Sequence, residues 1–212
     1  MQLLRYVFPA AFAVSGLVAL SFFPSQKELV SGVSRVETVI NSKASNSKEL
    51  FAAKAVEARK YVAQKGFNQE LVFLVDMSIP SEKNRFFIYD LKNDEVLASA
   101  LVSHGMCYGG EPGSDFSNKV GSGCSSLGKY KIGKSYYGQW GYSYKLHGLE
   151  SSNSNAYERT VVLHAHNSIP DFENGRELVQ SLGCPMVSPT FLEELKKIIN
   201  KSEKAVMLWI YK

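Results

Sequence analysis

Short runs rich in valine, isoleucine, phenylalanine and tyrosine follow one another along the chain, and they constrain its fold more than any other feature. Each run is bounded by Gly, Asn, Asp, Ser or Pro, and its length and composition are typical of a β-strand. We expect strands over residues 70–77, 85–91, 95–103, 128–134, 142–147, 160–166 and 205–211. A turn at Asn93 and Asp94 makes a hairpin of the second and third. The sequence therefore predicts a mostly β domain.

Two segments depart from this pattern and predict helices. Residues 48–65 carry apolar side chains at helical spacing, and Gly66 follows as a C-terminal stop. A second helix begins where Ser188 offers an N-cap and Pro189 suits the first helical position. Its apolar face consists of Phe191, Leu192, Leu195, Ile198 and Ile199. With 45% hydrophobic and 21% charged residues, the chain has the composition and length of one folded domain.

The N-terminal residues differ in character from the rest. Arg5 precedes an uncharged apolar run over residues 7–23, which is the arrangement of an export signal. Phe22 and Phe23 stand where a cleavage site needs small residues, and the run is at the short limit for crossing a bilayer. Residues 1–25 are therefore a signal peptide or an N-terminal membrane anchor, with a buried helix as the alternative, and residues 26–47 are a polar tether. We expect the domain to lie in the cell envelope or periplasm, free or anchored to the inner membrane.

The charge of the chain is mildly basic, with 24 Lys and Arg residues against 20 Asp and Glu residues. The lysines are scattered and form no dense stripe, so nucleic acid is not expected as a partner. Attraction to an anionic polymer or to a membrane surface remains open.

Three cysteines leave one thiol over if the other two pair. Disulfides persist in exported proteins, and Cys107 and Cys124 lie close together in a Gly/Ser-rich stretch. We expect these two to be joined and Cys184 to be free.

Cys184 has the surroundings of a nucleophile. It lies between Gly183 and Pro185 at the end of a polar loop, about twenty residues after His164, which closes an apolar run. A thiol beside a histidine is the arrangement of cysteine acyl transferases, in which the imidazole takes the thiol proton. The backbone N–H groups of Gly183 and Cys184 are the expected oxyanion donors. The alternative is that Cys184 is a small buried hydrophobic residue.

Two other kinds of site are weighed against this one. His164 and His166 share a strand face, with Ala165 on the other, and could bind zinc together with a thiolate. Neither a Cys-x₂-Cys pair nor a His-Glu-x-x-His run is present, so no metal is expected. Ser126 and Lys129 match the Ser-x-x-Lys pattern of serine acyl enzymes, but the companion Lys-Thr-Gly element is missing.

A larger set of motifs resembles the catalytic domains of L,D-transpeptidases, in the YkuD-like murein branch. The matching residues, in order, are Ser103–Gly105, Phe116–Asn118, Gly121–Ser122, Ser125–Gly128, Gly141–Ser143, Gly148–Glu150, Arg159, Val162–His164, Arg176 and Ser181–Pro185. The resemblance covers roughly residues 71–188. Many family members have a histidine two residues before the nucleophile, where this chain has Leu182, so His164 is the matched base and His166 a helper.

The resemblance implies a YkuD-like β-sandwich or partly open barrel with one or two helices packed on it, over residues 48–212. It implies that Cys184 forms a thioester with a peptidoglycan stem tetrapeptide and transfers it to an amine, which makes a 3→3 crosslink. Ser181, Arg176, Tyr142, Tyr144 and His166 are the expected substrate-binding residues, and no cofactor is expected.

Three alternatives follow from the same residues. Water in place of the amine would make the protein an L,D-carboxypeptidase, and loss of the chemistry would leave a peptidoglycan-binding module. A zinc-dependent envelope amidase is the third. The acyl acceptor, which is a stem amine, a protein or water, stays open.

Overall fold

The centre of the fold is one sheet of eight strands with two open edges. The computed structural model describes residues 51–111 and 113–212. Its strands are β1 (Leu71–Asp76), β2 (Phe86–Asp90), β3 (Glu95–Ala100), β4 (Gly128–Gly138), β5 (Gly141–Gly148), β6 (Val162–Ala165), β7 (Met186–Val187) and β8 (Met207–Tyr211). Two helices accompany them in this part of the chain, α1 over residues 51–65 and α2 over Pro189–Lys201. The predicted export segment 1–25 and tether 26–47 lie outside the described residues.

The strand order is β3-β2-β1-β8-β4-β5-β6-β7. Neighbours run antiparallel except in the pairs β1–β8 and β6–β7, which are parallel. The prediction of a mostly β domain with two helices is confirmed, and its sheet is mixed and unclosed. No helix within residues 51–111 and 113–212 is long and apolar enough to cross a membrane.

The alternation of side chains in the central strands divides the core between the two faces of the sheet. Phe73 and Val75 of β1 belong to a cluster with Phe191 and other residues of α2. Val72 and its neighbours on the opposite face belong to a second cluster with Val62 and other residues of α1. Because successive residues of a strand point to opposite faces, a strand covered by a helix on each side reads as a continuous apolar run.

The start of α2 agrees with the sequence prediction. The Ser188 hydroxyl accepts a hydrogen bond from the Phe191 N–H at 3.1 Å, and Pro189 is the first helical residue. The predicted face is buried at Phe191, Leu192 and Leu195. Since α2 follows β7 after one residue, its packing fixes the end of the preceding loop.

Two features of the strands position the candidate site. β7 is only two residues long and pairs with β6, with Met186 opposite His164. No periodicity can be seen in two residues, so the sequence did not predict this strand. β4 and β5 form a hairpin longer than expected, whose turn consists of Gln139 and Trp140.

The predicted disulfide between Cys107 and Cys124 is confirmed, and Cys184 is the free cysteine. The disulfide closes a loop of irregular chain that lies between β3 and β4. This loop supports the segment that carries Cys184, as described below.

Candidate active site

Cys184 lies just before β7 and opposite the start of β6. Because Met186 pairs with His164 in a parallel ladder, the residue two places earlier comes to lie opposite Val162. The backbone N–H of Val162 donates to the Cys184 sulfur, with a nitrogen–sulfur distance of 3.5 Å. The thiol in turn donates to the carbonyl oxygen of Thr160 at 3.8 Å. The strand pairing therefore sets the position of the thiol.

Ser181 braces the loop that carries the thiol. Its hydroxyl accepts from the N–H of Gly183 at 3.0 Å and donates to the carbonyl oxygen of Cys184 at 2.7 Å. The sequence predicts the Gly183 N–H as an oxyanion donor, but in the structure this N–H already donates to the Ser181 hydroxyl. The N–H of Cys184 has no hydrogen-bond partner among the described residues.

Gly183 is a point of close contact between the loop and the disulfide-bonded segment. Its φ is +115°, a conformation that side chains with a β-carbon rarely adopt, and a β-carbon there would lie 2.6 Å from the carbonyl oxygen of Cys124. The hydroxyl of Ser125 also lies 3.4 Å from the Gly183 carbonyl oxygen. Glycine is therefore required both by the backbone and by the space.

His164 presents one free nitrogen. Its Nδ1 donates to the carbonyl oxygen of Ala165 at 3.0 Å, since a carbonyl can only accept. This bond fixes the tautomer of the neutral ring and leaves the Nε2 lone pair available as a base. His166 lines the same cavity, and its Nδ1 accepts from the Ser168 N–H at 3.2 Å. Both histidines thus face the same side, as the alternation predicts.

Trp140, in the turn of the β4–β5 hairpin, covers the histidines. Its ring stacks on that of His164, with centroids 5.6 Å apart and an angle of 26° between the planes. Its distance to the ring of His166 is 6.4 Å. His164 is only 2% exposed, and the tryptophan is part of its cover.

Arg159 supplies a positive charge near the thiol. Its guanidinium donates to the carbonyl oxygens of Ser117 and Cys124 and to the hydroxyls of Ser122 and Ser126. These four oxygens occupy most of its donors and hold it in place. The same Cys124 carbonyl oxygen abuts Gly183, so the arginine also helps to fix the surface on which the loop rests.

Burial controls the resting protonation of the two reactive groups. It raises the pKa of the Cys184 thiol above its ordinary 9.0, although the Val162 N–H and the charge of Arg159 act in the opposite direction. Burial also lowers the pKa of His164 below its ordinary 6.5. At neutral pH the site therefore holds a thiol and a neutral imidazole, and not an ion pair.

Cys184, His164, His166, Ser181 and Arg159 line one cavity of about 540 Å³. Neither Asp nor Glu is among the residues that line it. Aromatic and aliphatic side chains make up much of the remaining wall. The cavity can therefore take a substrate that is uncharged or anionic where it meets the protein.

The structure does not bring the other expected substrate-binding residues to this cavity. Tyr144 pairs with Leu163 on the core face of the sheet, is 1% exposed, and donates its hydroxyl to Asn200 at 2.8 Å. Tyr142 lies on that same face, against Tyr144. Arg176 is exposed on the loop before Cys184 and does not line the cavity.

The two alternative kinds of site are not assembled. The buried Ser126 hydroxyl bonds to Tyr130, whereas the Lys129 ammonium pairs with Glu57 and Glu150, so the Ser-x-x-Lys pair is not brought together. Across residues 51–111 and 113–212, no group of three or more His, Cys, Asp or Glu side chains is placed to hold a metal ion.

Trp140 and Arg159 are the site residues that sequence reasoning assigned no role. Trp140 lies in a Gly-flanked turn between two tyrosine-rich runs. A large aromatic side chain in an exposed turn often marks a site that binds a ligand or packs over one, and this signal could have identified it. Arg159 is one of the residues that carry the family resemblance, but the sequence did not show its role, because its partners come from a segment that lies more than thirty residues earlier.

The family model for L,D-transpeptidase catalytic domains matches residues 42–211 of the chain. No curated protein matches it. Solved structures with a similar fold include the helical cell shape determining protein Pgp2 (K307A mutant) from Campylobacter jejuni, at 11% identity, a TM-score of 0.45, and coverage of 67% of this chain and 47% of that one. Another is Bd1075 from Bdellovibrio bacteriovorus, at 16% identity, a TM-score of 0.42, and coverage of 69% and 49%.

An L,D-transpeptidase from Mycobacterium smegmatis is similar at 12% identity, with a TM-score of 0.39 and coverage of 68% of this chain and 59% of that one. The chain thus spans about half the length of the solved structures that it matches. At such identities and TM-scores, the family assignment depends on the match of the sequence to the family model.

The contact at Gly183 leads to a first prediction. Gly183→Ala places a methyl group against the Cys124 carbonyl and displaces the loop, so we expect acyl transfer from a bound substrate to Cys184 to slow by about 100-fold, as for a positioned nucleophile moved by about 1 Å. The control is Gly175→Ala, since Gly175 also has a positive φ, of +71°, but nothing lies within 4 Å of its added β-carbon. Equal rates of acyl transfer to Cys184 in the two variants would contradict the role of the contact.

The charge of Arg159 leads to a second prediction. Arg159→Met removes a cation that lowers the thiol pKa, so the pKa of Cys184 should rise further, whereas Arg159→Lys should keep it closer to the wild-type value. The pH dependence of the reaction with iodoacetamide measures this pKa. Arg176→Met is the control, because that arginine does not line the cavity and its loss should leave the midpoint unchanged.

Proposed function

Because this chain belongs to the family of L,D-transpeptidase catalytic domains, we propose that it is a peptidoglycan L,D-transpeptidase with Cys184 as its nucleophile and His164 as its base. The observation that carries the proposal is the position of the thiol, held by the Val162 N–H on the same cavity as a buried neutral imidazole. Neither group belongs to an ion pair or to a metal-binding group among the described residues, which leaves both for acyl transfer.

The first half-reaction forms a thioester. The Cys184 sulfur attacks the carbonyl carbon of the bond that follows the third stem residue, while the Nε2 of His164 takes the thiol proton. The tetrahedral intermediate collapses with cleavage of the C–N bond, and His164 gives its proton to the departing amine. The terminal D-amino acid leaves, and the first three residues of the stem remain on the sulfur.

The second half-reaction transfers the peptide. A side-chain amine of a neighbouring stem attacks the thioester carbonyl, His164 takes a proton from that amine, and the sulfur leaves and is reprotonated by the imidazolium. The product is a 3→3 crosslink, and the enzyme returns to its resting thiol. If water attacks in place of the amine, the same steps give a shortened stem.

The oxyanion donor in this proposal is the N–H of Cys184, which is free of partners in the described part of the chain. The Gly183 N–H can contribute only if Ser181 releases it. Ser181 therefore acts as a positioning residue that holds the loop in shape. We leave Tyr142, Tyr144 and Arg176 out of the proposed site, because none of them lines the cavity.

We divide the chain into three segments according to the composition of its sequence. Residues 1–25 export or anchor the protein, residues 26–47 form a tether, and residues 48–212 make up the catalytic domain in the cell envelope. The disulfide supports this location, since disulfides persist outside the cytoplasm.

A crosslinking assay with a disaccharide-tetrapeptide tests the proposal. We expect the wild type to form a crosslinked dimer and a thioester of the peptide on Cys184, both seen by mass spectrometry. Cys184→Ala should form no thioester, and its rate of dimer formation should be lower by at least about 1000-fold. The disulfide of that variant should be intact, which checks its folding. Dimer formation by Cys184→Ala at the wild-type rate would refute the proposal.

The lowered pKa of His164 predicts where the acylation rate falls at low pH, which is the acid limb of the pH–rate profile. The base acts only when neutral, so the acylation rate should fall as the pH decreases through a pKa below 6.5. His164→Gln should lower the rate at neutral pH by about 100-fold or more and abolish this limb, because glutamine does not titrate. His166→Gln is the matched control and should keep the limb. An unchanged limb in His164→Gln would assign the base to another residue.

A further inference from the structure

We propose that Lys145 binds the free α-carboxylate of the terminal residue of the peptide substrate, the residue that leaves when the thioester forms. This inference rests on the proposed function of the site and adds to it a residue that selects the substrate. It assigns to the cavity beside the thiol a ligand of one chemical class, a carboxylate at the end of a peptide.

The register of β5 and β6 places Lys145 next to the nucleophile. Ser143 pairs with His164, and Lys145 pairs with Val162, so Lys145 projects from the same face of the sheet as His164. Val162 is the residue whose backbone N–H contacts the Cys184 sulfur. Lys145 on β5 lies about 4.8 Å from Val162 in the direction of the ladder, and Cys184, in the segment just before β7, contacts Val162 from the other side.

Lys145 lines a small cavity of its own that borders the first. This second cavity, of about 220 Å³, is formed by Tyr136, Lys145, Tyr157, Thr160, Val161 and Val162. Three of these residues also line the cavity of Cys184, namely Tyr136, Thr160 and Val162. A substrate whose reacting carbonyl lies at the sulfur can therefore extend its end into the smaller space.

The ammonium group of Lys145 has aromatic neighbours and, among the residues that the structure describes, no counter-ion. It lies 5.0 Å from the centre of the Tyr157 ring and 5.6 Å from that of Tyr136, and it is 3.5 Å from the Tyr157 hydroxyl. No ion pair within the described residues includes it, whereas Lys83, Lys129, Lys196 and other lysines pair with carboxylates. One of its N–H groups donates to the Tyr157 hydroxyl, the others are left for a ligand, and the rings limit its range of motion.

The charges around both cavities favour an anion. Within residues 51–111 and 113–212, no Asp or Glu lines either cavity. Arg159 is the other strong cation nearby, but four oxygens of the protein already occupy its donors. Lys145 is therefore the cation that can pair with a carboxylate of the substrate.

The proposed reaction supplies such a carboxylate at a suitable distance. The leaving residue is the last of the tetrapeptide, so its α-carboxylate is one residue beyond the scissile carbonyl, at most about 3.8 Å along the chain. The flexible four-carbon stem of lysine can reach across one strand to meet it. A stem with no free carboxylate at this position would lack the contact.

The first experiment tests the cation without a peptide. Iodoacetate and iodoacetamide alkylate the same thiol, but only iodoacetate carries a carboxylate next to the reacting carbon. For Lys145→Met we expect the rate with iodoacetate, divided by the rate with iodoacetamide, to fall by about two- to fivefold. This range corresponds to the loss of a partly exposed ion pair. Lys145→Arg should keep the ratio, and so should Lys134→Met, an exposed lysine of the same hairpin that lines neither cavity.

The second experiment uses the substrate. With a tetrapeptide that ends in a free carboxylate, Lys145→Met should lower kcat/KM for acylation about tenfold, and Lys145→Arg should recover most of it. With the same peptide ending in an amide, the wild type and Lys145→Met should react at equal rates. The iodoacetamide rate should stay at the wild-type value, which shows that the nucleophile is intact.

The outcomes separate the two proposals. If the wild type acylates neither peptide, the proposed function fails while the ratio of reagent rates still tests Lys145. An unchanged ratio in Lys145→Met, or an equal loss of rate with the acid and the amide peptide, would overturn the role of Lys145.

Discussion

The arrangement of the candidate site depends on the pairing of two residues of β7 with β6. This short parallel ladder sets Met186 opposite His164, and the chain just before it therefore delivers Cys184 to the end of β6. So short a strand has little stability of its own, and it is held from both sides. The capped helix α2 follows it directly, and the Ser181 hydroxyl closes the loop that precedes it. The position of the sulfur is thus a consequence of local backbone hydrogen bonds.

Burial of the reactive pair has opposite effects on its two members, and both effects keep the pair neutral. It favours the thiol of Cys184 and the uncharged ring of His164, because a charged form in a desolvated place loses its hydration. The proposed acyl transfer then requires the proton to move as the substrate is attacked, and not before. The single hydrogen bond from Nδ1 to Ala165 matters for this reason, since it directs the basic nitrogen away from the backbone.

The sequence predicted most of the fold, and it singled out Cys184 and His164, which the structure places on one cavity. Strands with clear composition, the N-cap at Ser188 and the pairing of the two loop cysteines are local signals, and the structure agrees with them. What could not be predicted depends on contacts across the fold. β7 is too short to show a period, the Gly183 N–H is taken by a side chain two residues away, and Tyr144 looked accessible on a strand whose inner face could not be identified. Lys145 drew no attention because only the register of β5 and β6 brings it beside the thiol.

The contact between Gly183 and the carbonyl of Cys124 brings a reduced sulfur and an oxidised pair of sulfurs into adjoining segments of one small protein. Disulfide exchange requires a thiolate as the attacking group, so its rate decreases when the fraction of thiolate decreases. Burial raises the pKa of Cys184 and so lowers that fraction, which disfavours exchange with a disulfide. The same desolvation that keeps the proposed nucleophile protonated thereby favours the pattern of one free thiol beside one disulfide.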